Sequence, residues 1–409
     1  MAATLFPDSQ RLASLSQRSM IVGIIGILAS AAGLFLAREQ FFRSYLTAFF
    51  YVAGFGIGSL GILLLHSVVG GNWGVTVRRL LESGARTIPM VGLLFIPLIF
   101  GMHDLYLWAR PEVVAGDLLL QHKAPYLNVP FLVVRTVVFF GLWSLMAFVV
   151  TKMSLAQDTN NDGPLGRRLR RLCGPLIIVH VLMVTFSSFD WIMSLEPHWY
   201  STIFGMLSLA GQNLATMAFL ISVVVWLGGD RVVQDAETKQ SVYDLGNLLL
   251  AFTMFWAYLA FSQLLIIWAG NLPEEIPYFV RRFHDGWGVL GIGIILFHFV
   301  VPFLMLINRY VKRNPVTLSR VALLILVMRL VEIFFTVAPA HHEMVPFSVH
   351  WLDLTAPIGL GGLWLAAFLH QLKGRGHVPG INHLGLSVNS HLNLRTTSHL
   401  LEGKAPHVG

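Results

Sequence analysis

Long apolar runs constrain this sequence more than any other feature, because they recur from one end of the chain to the other. Ten runs are close to the ~20 residues that an α-helix needs to cross a bilayer. Of the 409 residues, 55% are hydrophobic and only 12% are charged, whereas soluble domains have about 25% charged residues. The pattern predicts an all-α integral membrane protein with ten transmembrane helices. The predicted spans are residues 20–37, 45–69, 87–108, 129–151, 173–195, 202–228, 243–270, 287–308, 318–338 and 348–371.

Basic residues between the runs predict the orientation of the chain. Of the 28 lysines and arginines, 20 lie in segments assigned to one side and six in segments assigned to the other, while Arg135 and Arg329 lie within runs. Cytoplasmic loops are enriched in basic residues, so both termini are predicted to be cytoplasmic in a bacterial inner membrane. The first run has no convincing signal-peptide cleavage site and is kept as a span. The net charge of +7 therefore reflects membrane topology and does not indicate nucleic-acid binding.

The single cysteine, Cys173, limits the redox chemistry that the chain can carry. It excludes an intrachain disulfide, a cysteine-ligated iron–sulfur cluster and a c-type haem. His284 and His298 have the spacing of paired b-haem ligands, but His284 falls in a predicted loop and no second run repeats the spacing. We therefore expect this chain to bind no haem, iron–sulfur cluster, flavin or metal of its own.

Two polar segments stand out between and after the runs. Residues 157–172 combine turn-forming residues with the basic stretch GRRLRRL and predict a cytoplasmic linker that ends in a short surface helix. Residues 372–409 are predicted to form a cytoplasmic tail outside the ten-helix domain of residues 1–371. Histidines recur every eight residues in that tail, a spacing that favours a docking strand or loose tail over a metal site. They are His383, His391, His399 and His407.

Ionisable residues within the runs are the candidate functional residues, since such groups usually face a bundle interior or a cavity and have partners. We interpret them as two half-routes for protons, or as the lining of a quinol site, with hydrogen-bonding contacts between helices as the structural alternative. The outer set is His103, Asp104, Arg135, Asp190, His350 and Asp353, and the predicted outer loop adds His341, His342 and Glu343. The inner set is His66, His180 and Asp244, and the bridging groups near the midplane are His298, Arg329 and Glu332.

Helical spacing predicts some partners for these groups. Arg329 and Glu332 are three residues apart and can pair on one helix face, and the same spacing relates His350 and Asp353. Asp190 shares its face with two serines, which predicts hydroxyl neighbours for its carboxylate. Arg135 is close enough to the outer end of its run that extension of its side chain to the membrane surface is an alternative role.

The string DWIMSLEPHWYST, Asp190–Thr202, and the stretch Leu245–Glu275 carry a resemblance to a known family. Together with the ten-run layout, they resemble the NrfD-like membrane subunits of alternative complex III, a quinol:cytochrome c oxidoreductase, particularly the members called ActF. The resemblance covers most of the chain and is weakest in the tail. It implies two four-helix bundles, formed by spans two to five and six to nine, with spans one and ten peripheral.

The same resemblance implies partners and a substrate. The partners would be a paralogous NrfD-like subunit, an iron–sulfur subunit, pentahaem and monohaem cytochrome c subunits, small membrane subunits and lipids. Quinol or menaquinol would be oxidised in the complex, and the electrons would leave through the partner subunits. The expected role of this chain is to contribute quinone-binding or proton-conducting residues, with Asp190 at the outer point of proton release. A secondary transporter and a purely structural membrane anchor for redox subunits are the competing functions.

Overall fold

The ten apolar runs form ten long helices in a computed structural model of the chain, which describes residues 8–71, 73–159, 163–341 and 346–373. Each helix is long and apolar enough to cross a membrane, which confirms the predicted multi-pass helical architecture. His342, Glu343 and the four tail histidines lie outside the described residues. The membrane helices are α1 (Ser9–Leu36), α2 (Arg38–Val69), α3 (Trp73–Phe100), α4 (Val129–Gln157), α5 (Pro164–Leu195), α6 (Phe204–Gly228), α7 (Ala236–Gly270), α8 (Trp287–Ile307), α9 (Pro315–Ala340) and α10 (Leu352–Lys373).

Two predicted connections are shorter than expected because helix continues into them. The helix of α4 extends to Thr159 and that of α5 begins at Gly163. The basic half of the predicted 157–172 linker is therefore helical as predicted, but it is continuous with α5 and does not form a separate surface helix. Similarly, α3 begins at Trp73 within a segment that was predicted to be a loop. Its arginines Arg78 and Arg79 are consequently buried, although they were predicted to lie in an inner loop.

The outer end of α3 is broken into short pieces. Helix runs over Ile88–Leu94 and Ile96–Phe100, and each piece has a proline in its first turn, where the missing backbone N–H costs least. Short helical segments follow at Met102–Leu105 and Leu107–Ala109. The predicted third span, which ran to residue 108, therefore ends early, and His103 and Asp104 lie beyond it.

The remaining helices are short and lie between the spans. Pro111–Gly116 and Leu118–Lys123 connect α3 to α4, and Pro277–Phe283 connects α7 to α8. Asp230–Gln234 and Arg309–Arg313 lie on the opposite side of the membrane. We call the side that carries residues 101–128 and 196–203 the outer side, following the orientation predicted from the basic residues.

Contacts between the helices divide the chain into neighbouring groups. Helix α2 packs against α3 and α5, and α4 packs against α3 and α5; in the second half, α6 packs against α7 and α9, and α8 contacts α7 and α9. The two groups meet where α2 and α5 contact α6, and where α2 contacts α9. Helices α1 and α10 pack closely on each other and against α2.

Glycines permit the close approach of α1 and α10. A Cβ added at Gly26 would lie 2.6 Å from the Cα of Gly359, and one added at Gly362 would lie 2.7 Å from the Cα of Gly23. Membrane helices associate through such small residues because lipid provides no hydrophobic force to drive them together. This pair covers one side of α2.

Candidate functional site

A charged cluster lies at the contact of α7, α8 and α9, near the middle of the membrane. Arg329 Nη1 donates to Glu332 Oε2 at 2.6 Å, so the ion pair predicted from their spacing is present. Trp256 Nε1 donates to the other carboxylate oxygen of Glu332 at 2.9 Å. Gly211 of α6 makes room for the guanidinium, since a Cβ there would clash with Arg329. Both charged residues are buried, and each carboxylate oxygen has a donor.

His298 joins this cluster through a local change in helix type. Residues Ile295–Val300 form a π-helix, and Pro302 follows it at the position whose missing N–H would have bonded the carbonyl of His298 in an α-helix. The fully buried imidazole stacks on the Trp256 indole, with ring centroids 4.2 Å apart. His298 Nδ1 is 3.8 Å from Glu332 Oε2. The three bridging residues predicted from the sequence are therefore neighbours.

A second carboxylate, Glu196, is bound by two arginines at the outer side. Arg281 Nη1 donates to it at 3.0 Å and Arg282 Nη2 at 2.8 Å. The Arg282 guanidinium also lies 3.5 Å from the ring centroid of Tyr278, which in turn stacks on Trp199. Burial raises the pKa of Tyr278 above its ordinary value, so this phenol stays protonated.

Sequence reasoning missed this outer carboxylate. Glu196 lies in the string EPHW, between two apolar runs, and its arginines lie 85 and 86 residues away in the stretch RRF. A glutamate next to an apolar span and a pair of arginines in another outer loop were the available signal. No periodicity connects residues so far apart in the chain, so only the folded structure shows the pairing.

Two small cavities lie between the Glu332 and Glu196 clusters. One of about 30 Å³ is lined by Arg329, Glu332 and Ser208 among others, and one of about 10 Å³ is lined by Glu196 and Arg282. A cavity needs about 10–15 Å³ to hold one water molecule, so both are of water size. The two cavities share the lining residues Ile192, Phe204, Tyr278 and Thr336.

Hydrogen bonds join the same two clusters. Arg282 Nη2 donates to the carbonyl of Thr336 at 2.6 Å as well as to Glu196. The Thr336 hydroxyl donates to the carbonyl of Glu332 at 2.9 Å, one turn earlier in α9. We call the series Glu332, Thr336, Arg282 and Glu196, with its two cavities, the outer column. In the outer column, buried carboxylates adjoin space for water.

Asp190 has a different environment from Glu332. Arg135 Nε and Nη2 donate to its two oxygens at 2.7 and 3.0 Å, and the guanidinium lies over the rings of Tyr126 and Phe131. Arg135 therefore forms a bidentate pair inside the protein, and the predicted surface extension of its side chain is wrong. Burial and the charge of Asp190 raise the pKa of Tyr126 to about 12.

The predicted hydroxyl neighbours of Asp190 are also wrong. Ser187 Oγ donates to the carbonyl of Val184 at 3.1 Å, and Ser194 Oγ donates to the backbone carbonyl of Asp190 at 2.6 Å. Serines in helices often bond a preceding carbonyl in this way, which uses the only hydroxyl proton. The carboxylate is therefore held by Arg135 and by a hydrogen bond from the Tyr126 hydroxyl.

The other outer residues form separate surface contacts. Asp104 accepts from Arg38 Nε at 3.0 Å, and the carbonyl of His103 accepts from Arg110. His350 and Asp353 do not pair through their side chains, contrary to the spacing argument, because His350 precedes the helix. Its backbone N–H donates to Asp353 Oδ2 at 2.8 Å. The second Asp353 oxygen, Oδ1, accepts from Ser44 and Gln40, which ties α10 to α2.

A larger cavity lies beside Asp353 at the outer side. Its volume is about 180 Å³, and it is lined by Gln40, Arg43, Arg281, Trp287, His350 and Asp353 among others. Charged and aromatic groups therefore converge on a space larger than a few water molecules. Arg281 connects this cavity to the outer column, because the same side chain binds Glu196.

The inner residues are not brought together. His66 Nε2 contacts the carbonyl of Gly71 at 3.1 Å at the end of α2, and Asp244 accepts from Gln240 one turn earlier on α7. His180 is buried beside Gly61 and Asn213, and within the described chain neither of its ring nitrogens has a hydrogen-bond partner. No hydrogen bond or ion pair among the described residues links these three predicted members of an inner route.

Another buried inner cluster was not predicted. Glu82 is fully buried on α3, where Arg79 Nη1 donates to it at 2.6 Å and Arg78 Nε is 3.5 Å away. Ser154 of α4 also donates to Glu82, and it accepts from Arg78 at 2.8 Å. Arg78 and Arg79 had been assigned to a loop, and this assignment concealed the group. The cluster fastens α3 to α4.

Comparisons of the chain with protein-family models and with curated proteins found no match.

Proposed function

We propose that this chain is a proton-conducting membrane subunit of a quinol-oxidising electron-transfer complex of the alternative complex III type. Quinol oxidation releases protons and electrons together, so such a complex needs a path for each. In this proposal the electrons leave through iron–sulfur and cytochrome c partners, and this chain serves the protons. The complex would lie in a bacterial inner membrane, with both termini of this chain in the cytoplasm.

The resemblance supports the type of complex. The string Asp190–Thr202 and the stretch Leu245–Glu275 carry it, and the grouping of α2–α5 and α6–α9 is consistent with the two four-helix bundles that it implies. Helices α1 and α10, packed on each other beside α2, are consistent with two peripheral helices.

The outer column is the single observation that carries the proton role. Glu332 and Glu196 are carboxylates separated by water-sized cavities and joined through Thr336 and Arg282. A carboxylate can accept and release a proton, and water in the cavities can pass it on. Buried charged clusters that served only to hold helices together would not require cavities shared between two of them.

Within this proposal, the quinone ring belongs in the outer cavity beside Asp353. A cavity of about 150 Å³ can hold benzene, so its ~180 Å³ can accommodate one aromatic ring, whereas the two smaller cavities hold only water. His350 and Arg281 provide polar groups at its wall for the quinone oxygens. Arg281 would then connect ring oxidation to proton release through Glu196.

Purification of the tagged chain from its native membrane in mild detergent tests the type of complex. We expect iron–sulfur and multihaem cytochrome c proteins to accompany it, with quinol:cytochrome c reductase activity in the eluate. A chain that purifies without redox proteins and that takes up a solute in proteoliposomes would contradict the proposal and favour a transporter.

A carboxylate substitution tests the proton role. Glu196→Gln in the reconstituted complex should slow proton release to the outer side, as followed with a pH-sensitive dye, while the complex remains assembled. Glu112→Gln, at an exposed carboxylate in the same outer region, is the matched control and should leave release unchanged. Equal release rates in both variants would exclude the outer column as the path.

A further inference from the structure

The start of α5 carries a compact group of four exposed arginines. Arg167, Arg168, Arg170 and Arg171 occupy five consecutive positions in the helix, and all four are exposed. Between residues 152 and 172 there are five basic and two acidic residues. In the part of the chain that the structure describes, none of the four arginines forms an ion pair. The group is a concentrated positive surface at one end of a membrane helix.

The rest of α5 shows which way this group faces. Ile178, Leu182 and Phe186 are 65%, 52% and 44% exposed, so they mark the lipid-facing side of the helix. The opposite side is buried and includes Leu169, Cys173 and His180. The helix thus has one face toward the protein and one face toward the membrane.

Helical geometry places the arginines on the membrane face. At about 100° per residue, Arg167 and Arg171 point within about 20° of the direction of Ile178. Arg168 and Arg170 lie about 80° to either side of it. The four side chains therefore spread symmetrically about the lipid-facing stripe, while Leu169, between them, points into the protein.

The length of the helix sets the depth of the arginines. From Arg171 to Trp191 the helix rises about 30 Å, which is the thickness of the hydrocarbon core of a bilayer. The four arginines therefore lie at headgroup depth when the apolar stripe spans the hydrocarbon. Guanidinium groups bind phosphate oxygens in bidentate geometry, so the chemistry they meet at that depth is the phosphodiester of a lipid.

We propose that Arg167, Arg168, Arg170 and Arg171 form a binding site for acidic phospholipids in the leaflet at that end of α5. Zwitterionic lipids also carry a phosphate, but a neighbouring ammonium cancels its charge. A lipid with a net negative headgroup has no such internal cation, so its charge pairs with the arginines and this lipid is preferred. Each basic residue close to the membrane surface raises the binding constant for anionic lipids about fivefold. The proposal does not depend on the function proposed above.

Lipid selectivity of the full chain tests the site. The purified protein is placed in phosphatidylcholine vesicles with trace spin-labelled phosphatidylglycerol or phosphatidylcholine, and the immobilised fraction of each label is measured. We expect the wild-type protein to favour phosphatidylglycerol, and the variant R167Q/R168Q/R170Q/R171Q to lower that preference at least threefold. The variant with lysine at all four positions should retain most of it. High salt should reduce the preference of the wild-type protein.

A matched variant separates this site from general positive charge. R11Q/R18Q/R313Q/R320Q removes four exposed arginines at the ends of α1 and α9 on the same side of the membrane. It should lower the preference much less than the α5 variant does. Equal effects of the two variants would overturn the proposal.

An acidic protein could also bind this surface, and the same variants distinguish a bound protein from a bound lipid. Unchanged lipid selectivity in the α5 variant, combined with loss of a polypeptide from the natively purified complex, would replace the lipid with a protein partner and overturn the proposal. Gel filtration and thermal unfolding of each variant show whether it is folded. If the glutamine variant unfolds, the single substitutions Arg167→Gln and Arg171→Gln should each produce a smaller loss of preference, and no loss in either would refute the site.

Discussion

Asp190 and Glu332 are both buried carboxylates paired with an arginine, but they differ in what surrounds the pair. Both oxygens of Asp190 accept from Arg135, and aromatic rings cover the guanidinium. Glu332 accepts from two different side chains, lies 3.8 Å from His298, and lines a water-sized cavity that Asp190 does not line. In the proposed function, Glu332 can therefore exchange protons with water in the adjoining cavity, whereas Asp190 serves as a contact between helices.

Replacement of Glu332 should give the largest effect on proton movement. Glu332→Gln preserves the shape of the side chain and an oxygen for Trp256, but it removes the titratable group. We expect the rate of proton release coupled to turnover to fall about 100-fold. This is the smaller end of the rate loss expected when a positioned proton-transfer group is removed. The measurement is dye-detected proton release by the reconstituted complex, with assembly verified by gel filtration. Release at the wild-type rate would show that Glu332 is only a helix contact.

Replacement of Asp190 should instead reduce stability. Asp190→Asn leaves the largely buried Arg135 without a carboxylate, and breaking a buried pair costs about 3 kcal/mol or more. The midpoint of thermal unfolding should fall, while proton release per turnover by the folded fraction stays near the wild-type level. The double variant R135Q/D190N should recover part of the stability because no unpaired charge remains. Proton release that fails in the folded fraction would remove the distinction between the two carboxylates.

Thr336 tests whether the space between the clusters matters. Thr336→Val keeps the volume of the side chain but removes the hydroxyl that borders both cavities. Proton release should slow several-fold, since water there loses a polar partner. Thr253→Val is the matched control, because its buried hydroxyl also bonds a carbonyl of its own helix, at Leu249, but lines neither cavity. Identical rates for both variants would place the water path elsewhere.

The smallest expected effect concerns an outer contact that lies away from both carboxylates. Backbone N–H groups of Leu120 and Leu119, together with His198, hold the pKa of Asp117 below its ordinary value. Because the pKa of Asp117 is lowered in the folded protein, its carboxylate stabilises the folded loop at pH values above about 4, the ordinary pKa of aspartate. This stabilisation is lost as the pH falls through the lowered pKa. Asp117→Asn should therefore modestly increase hydrogen exchange in residues 110–128 at neutral pH. The difference from the wild-type protein should shrink at pH values below about 4.

The Asp117→Asn variant also tests whether the outer loop influences the buried carboxylates. The Asp117 contact joins the 110–128 loop to His198 without touching Glu196, Glu332 or Asp190. Its loss should leave proton release unchanged. A change in release would mean that the outer loop controls the column.

The membrane architecture and one local ion pair could be predicted from the sequence alone. Ten apolar runs require ten helices, because a backbone in hydrocarbon must satisfy its own hydrogen bonds. The pair Arg329–Glu332 followed from a spacing of three residues, since such residues are neighbours on any helix. The positions of Asp190 and His298 within runs were also visible, because a charged or polar residue is conspicuous in an apolar segment.

Contacts between side chains of different helices could be seen only in the folded chain. Glu196 pairs with Arg281 and Arg282, and Asp190 pairs with Arg135, over separations of 55 to 86 residues that no periodicity encodes. The spacing argument failed for His350 and Asp353 because the helix begins between them, and the inner residues share a predicted depth without sharing a site. Cavities are set by how side chains from several helices fill space together, so the outer column could be found only after the helices had been packed.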